Sequence, residues 1–139
     1  MGSRLTEIGV DCHDPHALAA FWAAALDYHV VRTEDAQVEI APWEREPPDL
    51  AEQVRRAPSV PTLVFVAVPE GKTVKNRLHL DIRPVDGSSE AEVERLLGLG
   101  ARQVDIGQGE VPWVVLADPE GNEFCVLAWL ATLDEDGSP

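Results

Sequence analysis

From Thr6 to Asp11 apolar and polar positions alternate, with Ile8 and Val10 on one side and Glu7, Gly9 and Asp11 on the other. A period of two predicts a half-buried strand. The period changes after Asp14-Pro15, where Leu18, Phe21, Trp22 and Ala25 recur at helical spacing. This predicts a helix to about Leu26, with Asp14 as N-cap and Pro15 at the first helical position. Strand patterns follow at His29 to Thr33 and Gln37 to Ile40, joined by the polar turn Glu34-Asp35-Ala36. Residues 41–61 are broken by five prolines, Pro42, Pro47, Pro48, Pro58 and Pro61, with a short helix expected from Asp49 to Arg56. A connection this long in a small domain is often a lid or binding loop. Thr62 to Val68 reads as an apolar strand.

The second half repeats this order. Arg77 to Arg83 alternates as a strand, and Ser88 or Ser89 caps a helix from about Glu90 to Leu99 that Gly100 ends. Strands are expected at Arg102 to Ile106, Trp113 to Ala117 and Glu123 to Ala128. The last two are joined by Asp118-Pro119-Glu120-Gly121-Asn122, a turn in which Pro fixes φ and Gly accepts a positive one. Glu7 aligns with His79 and Asp14 with Asp86 at an offset of 72, and Leu26-Asp27 with Leu99-Gly100 at 73. Each half reads βαβββ, module one over about 4–70 and module two over about 75–130. The fold class is α+β. The acidic end, 134–139, is expected to fray.

Charge then narrows the partners. Eleven Lys and Arg against 25 Asp and Glu give a net charge of −14 across 139 residues. Phosphate binding needs clustered cations, so nucleic acid is excluded as a partner, and anionic membranes with it. The acidity permits a cationic ligand and also serves plain solubility. Two cysteines, Cys12 and Cys125, build no disulfide framework, and no signal peptide or membrane span is apparent. A cytoplasmic protein with reduced thiols is the expectation.

Two stretches carry a family resemblance: Lys75-Asn76-Arg77-Leu78-His79-Leu80-Asp81-Ile82, and Trp113 to Leu127 around the Asp118-Pro119-Glu120-Gly121-Asn122 turn. With the tandem βαβββ order, the chain resembles the vicinal oxygen chelate superfamily, which includes glyoxalase I, extradiol dioxygenases, fosfomycin-modifying enzymes and bleomycin-resistance proteins. The resemblance implies one glyoxalase-like domain over 1–139, a mixed sheet curled around a cavity with helices outside, and a homodimer. It also implies metal ligands on the first and last strands of each module. Carried over, these positions are Glu7, His79 and Cys125, where a metal-binding relative usually has Glu in the last place. The equivalent position in module one falls near Val64 or Phe65, and neither is a ligand.

The residues have their own reading. Leu78, Leu80 and Ile82 occupy one face of their strand and Arg77, His79, Asp81 and Arg83 the other. The apolar face is expected to cover the helices and the polar face to line a cavity or meet water. His79 is a metal ligand, a base or a hydrogen-bond donor, or a structural histidine held by its neighbours. Glu7 is a ligand, a base or a salt-bridge partner of Arg77 or Arg83. Cys125 is a zinc ligand or a small buried hydrophobe. His13 and His16 flank a helix start that Asp14-Pro15 already explains. Trp43 and Trp113, with Phe65, are candidates to wall a pocket around a flat or cationic ligand, or to pack a core.

Three readings follow. The first is a small-molecule-binding protein with a degenerate metal site, with catalytic activity left open. The second is a metal-dependent glyoxalase, lyase or dioxygenase type of enzyme using His79 and Glu7 with zinc, nickel or iron. The third is an acidic dimer that sequesters a cationic drug, as bleomycin-resistance relatives do. No nucleophile elbow supports a hydrolase.

Overall fold

The computed structural model describes residues 2–128; Trp129 and the acidic end at 134–139 lie outside the described residues. Contacts divide the chain after Gly71 into two compact units.

The first unit runs β1 (Glu7–Cys12), α1 (Pro15–Leu26), β2 (His29–Glu34), β3 (Gln37–Ala41), α2 (Leu50–Arg56) and β4 (Thr62–Ala67). Its sheet has the order β1-β4-β3-β2. β1 and β4 are parallel, with Gly9 opposite Val64, and the other pairs are antiparallel. The parallel pair needs a long crossover, which α1 and the hairpin supply. Asp14 caps α1 as expected, its side chain accepting from the Ala17 N–H at 3.1 Å. Leu18, Phe21, Trp22 and Ala25 are buried, and α1 packs on β3 and β4. Phe21 and Trp22 meet edge to face, ring centroids 5.2 Å apart. Such pairs add about 0.5–1.5 kcal/mol beyond the area they bury. α2 lies in the proline-rich stretch and buries no residue. Arg4 ties down its end, donating to the carbonyls of Val54 at 2.8 Å and Arg55 at 3.2 Å.

The second unit runs β5 (Asp81–Ile82), α3 (Ser89–Leu99), β6 (Arg102–Gln103), β7 (Val114–Ala117) and β8 (Glu123–Val126). Its order, β5-β8-β7-β6, repeats that of the first sheet, again with a parallel pair between first and last strands. Both sheets are open and mixed, so the architecture is α+β with two βαβββ units. Ser88 is the N-cap of α3. The two main helices end at the aligned positions: Asp27 is left-handed at φ 56°, and Gly100 stands at φ 124°. Asp118 is 1% exposed, and its carboxylate accepts from the backbone N–H groups of Glu120 and Asn122. This Asx geometry, beyond Pro119 and Gly121, holds the β7–β8 turn.

Two strands are shorter than expected: β6 covers only Arg102–Gln103 and does not reach Ile106. Arg77 to Arg83 does not form a seven-residue strand; only Asp81–Ile82 pairs, and residues 71–80 are irregular. β8 spans only four residues, so the ladder offers Arg77 and Leu78 no partner. Leu78 is 91% exposed and covers no helix. Among the described residues, no helix is long and apolar enough to cross a membrane.

Phe124 is 1% exposed in the core of the second unit. We predict that Phe124→Ala costs about 3–5 kcal/mol of stability, while Leu78→Ser stays within about 0.5 kcal/mol. Urea denaturation followed by circular dichroism checks both.

Candidate functional site

The parallel pairing of β5 with β8 sets the site. Its register places Asp81 directly beside Cys125, 44 residues later in the chain. β7 flanks Cys125 on the other side through Val115. His79 lies two residues before Asp81, at the end of the irregular segment, and its ring turns back to the Asp81 carboxylate. The ligand atoms of His79, Asp81 and Cys125 all lie within 4.8 Å of one another. They face a cavity of about 540 Å³ whose wall also holds Arg83, Ile106 and Trp113. Polar groups convergent on an apolar, aromatic lining are the usual make-up of a small-molecule site.

Hydrogen bonding orients the donors and acceptors. His79 Nδ1 lies 3.0 Å from Asp81 Oδ1. A carboxylate only accepts, so Nδ1 carries the proton and a neutral ring leaves the Nε2 lone pair free. Cys125 is 6% exposed. Burial raises its thiol pKa first, and the charge and hydrogen bond of Asp81 raise it further, against a smaller lowering by Lys75. Cys125 is therefore a protonated thiol at neutral pH, not a ready nucleophile. Arg83 is partly committed, its Nη1 donating to the Ala128 carbonyl at 2.9 Å.

The remaining sequence candidates are placed as follows. Glu7 sits on β1 of the first unit, exposed. Trp43 lines a separate cavity of about 540 Å³ within that unit, together with Pro47, Pro48, Leu50 and Val54. Phe65 is 0% exposed in the first unit's core and has no surface to offer a ligand. Its neighbour Val64 occupies the place of Cys125: β1 pairs Gly9 with Val64 as β5 pairs Asp81 with Cys125. Arg77 is exposed in the irregular segment and does not line the second unit's cavity. His13 and His16 each reach a backbone carbonyl, of Pro69 and Asp35, both at 3.2 Å. Asp81 was foreseen as lining but not as the hub between His79 and Cys125. Its partner in the sheet could be read only from register. Ile106 and Gln108, from the loop after β6, carried no recognisable signal.

Glu123 is a further polar group that sequence reading passed over. It accepts from the Lys72 ammonium at 2.9 Å and from the Asn76 N–H at 3.0 Å. Burial alone would raise its pKa; the Asn76 N–H and Lys72 together outweigh that and hold it below the usual carboxylate range.

A chain of two βαβββ units, each with an open mixed sheet, has the glyoxalase and dioxygenase architecture. The chain belongs to the glyoxalase-like domain family, whose sequence profile matches residues 7–127. No curated protein matches it significantly. Several solved structures share the fold. The fosfomycin resistance protein FosX from Mesorhizobium loti is similar with a TM-score of 0.62 at 12% identity, over 95% of this chain and 96% of that one. FosX from Listeria monocytogenes, solved as a variant with Mn(II) and 1S,2S-dihydroxypropylphosphonic acid, has a TM-score of 0.61 at 14% identity, over 95% and 94%. A glyoxalase/bleomycin resistance protein/dioxygenase family enzyme from Burkholderia phytofirmans has a TM-score of 0.60 at 15% identity, over 89% and 97%.

Two predictions follow from the charges. Cys125 alkylates slowly with iodoacetamide at pH 7, and Asp81→Asn, which removes a charge that disfavours the thiolate, quickens it. Peptide mass mapping separates Cys125 from buried Cys12. Glu123 has a depressed pKa, so its stabilisation is present above the unfolded carboxylate range and is lost as pH falls through the folded value. Glu123→Gln should flatten the acid side of a plot of urea midpoint against pH.

Proposed function

We propose that this chain is a glyoxalase-like small-molecule-binding protein whose working site is the cavity of the second unit. The observation that carries the reading is the convergence of His79, Asp81 and Cys125 within 4.8 Å on the wall of that cavity. Trp113 and Ile106 offer apolar surface to a ligand's body, and the polar trio faces its oxygen or nitrogen atoms. Bound there, a ligand hydroxyl meets the lone pair on His79 Nε2, while Asp81 holds the ring's orientation through Nδ1. This is the arrangement of a base with its orienting carboxylate. Arg83 adds a cation to the cavity rim, so the site does not share the sign of the chain's net charge.

The same trio favours a second reading, a metal-assisted site. An imidazole, a carboxylate and a thiol are a mixed nitrogen, oxygen and sulfur set that suits zinc and matches oxygen-preferring ions poorly. His79, Asp81 and Cys125 would hold such an ion, with Cys125 giving up its proton on binding. The ion would supply Lewis-acid polarisation of ligand oxygens. This set differs from the Glu7, His79 and Cys125 trio that the family resemblance implies, because Asp81 stands beside Cys125 in the ladder. Pairing with a second copy belongs to the same reading, and sedimentation measures it.

We predict that zinc alone raises the melting temperature of the wild-type chain. Free ion at one hundred times its Kd adds about 2.7 kcal/mol by linkage. His79→Ala and Asp81→Asn should each abolish most of the shift. An unchanged melting temperature and no stoichiometric metal in chelator-free protein would rule out the metal-assisted reading. The binding reading itself is tested by a thermal-shift screen of small oxygen-bearing metabolites. It fails if every stabilising compound acts equally on a Trp113→Ala, His79→Ala double variant.

A further inference from the structure

His79 belongs to the stretch 72–80, which has no regular structure. Among the described residues, backbone pairing to the sheet begins only at Leu80, whose carbonyl accepts from the Cys125 N–H at 3.0 Å. Before that point the segment is fastened by one carboxylate. Glu123 Oε1 takes the Lys72 ammonium at 2.9 Å, and Oε2 takes the Asn76 N–H at 3.0 Å. The Asn76 amide also reaches the Glu123 carbonyl at 3.5 Å, and Lys72 donates to the Val74 carbonyl at 2.7 Å. The ion pair is largely enclosed, its side chains 19% and 13% exposed. Enclosure matters, because a pair in open water would hold a segment weakly.

Glu123 stands two residues before Cys125 on β8. One strand therefore fastens the segment twice: Glu123 grips Lys72 and Asn76, and the Cys125 backbone grips Leu80. Between these anchors lie only Arg77, Leu78 and His79. Arg77 and Leu78 are exposed and buttress nothing. The place of the imidazole is thus set from outside, by the clamp and by the Asp81 carboxylate.

We propose that Glu123 is a positioning residue: through Lys72 and Asn76 it fixes the irregular segment so that His79 meets the Asp81 carboxylate and faces Cys125. The proposal rests on the second unit's cavity being the working site. It assigns part of that site's precision to a group that does not line the cavity. Supports of this kind behind a ligand cluster carry about 10–100-fold in metal affinity.

The test uses the full chain with cobalt(II) alone as probe, reading the thiolate-to-cobalt absorption that reports Cys125, together with amide hydrogen exchange. Glu123→Ala should weaken cobalt binding about tenfold or more. It should also quicken exchange at residues 77–81 while Val93 and Leu96 on α3 keep wild-type protection. Glu123→Gln keeps an oxygen for the Asn76 N–H and should retain more affinity than Glu123→Ala. Wild-type affinity and unchanged exchange at 77–81 in Glu123→Ala would overturn the proposal, as would equal loss of protection on α3. If the wild-type chain takes no cobalt, the metal-assisted reading fails and exchange at 77–81 alone decides the clamp. If Glu123→Ala does not fold, Lys72→Met and Glu123→Gln decide it by the same readouts.

Discussion

The parallel pairing of first and last strands is the constraint on which each unit depends. It forces a helix and a hairpin to be completed between the two strands, and so dictates the βαβββ order. It also buries the closing strand in the middle of its sheet, with β4 between β1 and β3, and β8 between β5 and β7. That strand is deeply buried, Phe65 at 0% in one unit and Phe124 and Val126 at 1% and 0% in the other, alongside core positions such as Ile40 and Leu116 on the neighbouring strands. Chemistry in the second unit follows from the same pairing. Only a neighbour in register brings a carboxylate from residue 81 against a thiol at residue 125.

The two units solve one packing problem with different residues. Where the second has His79, Asp81 and Cys125, the aligned positions of the first hold Glu7, Gly9 and Val64. Polar donors have thus been concentrated on one sheet, and its counterpart keeps a glycine and a buried valine. The asymmetry also reaches the segments before and within the modules. The first unit lengthens the connection between its third and fourth strands into a proline-rich stretch with α2. The second shortens its first strand to two residues and leads into it with an irregular segment.

Where local periodicity and tertiary partners agree, the sequence was legible. The helix at Pro15–Leu26, its Asp14 cap, the β2–β3 hairpin and the Asp118 to Asn122 turn are all local devices. The aligned pairs Leu26-Asp27 and Leu99-Gly100 are both helix ends. Alternation misled at Arg77 and Leu78, because a period of two states which faces a strand would have, not whether a partner strand is long enough to reach it. His79 and Cys125 were legible as candidates from the family resemblance. The role of Asp81 was not, since strand register depends on pairing over 44 residues. Glu123 was hidden for a related reason: a lone acid at a strand start looks solvated until a lysine 51 residues away is found against it.

The closure of β5 against β8 also has a kinetic meaning. Sequence-distant contacts form only after loop-closure entropy has been overcome, and they slow folding. The β7–β8 hairpin and α3 can form from near neighbours, but His79 and Asp81 reach Cys125 only when the chain closes over the three elements between them, α3, β6 and β7. By this argument the pairing that gathers His79, Asp81 and Cys125 is expected among the last parts of the second unit to form. A chain emerging from the ribosome carries His79 and Asp81 well before Cys125 exists, so no partial product holds the complete trio.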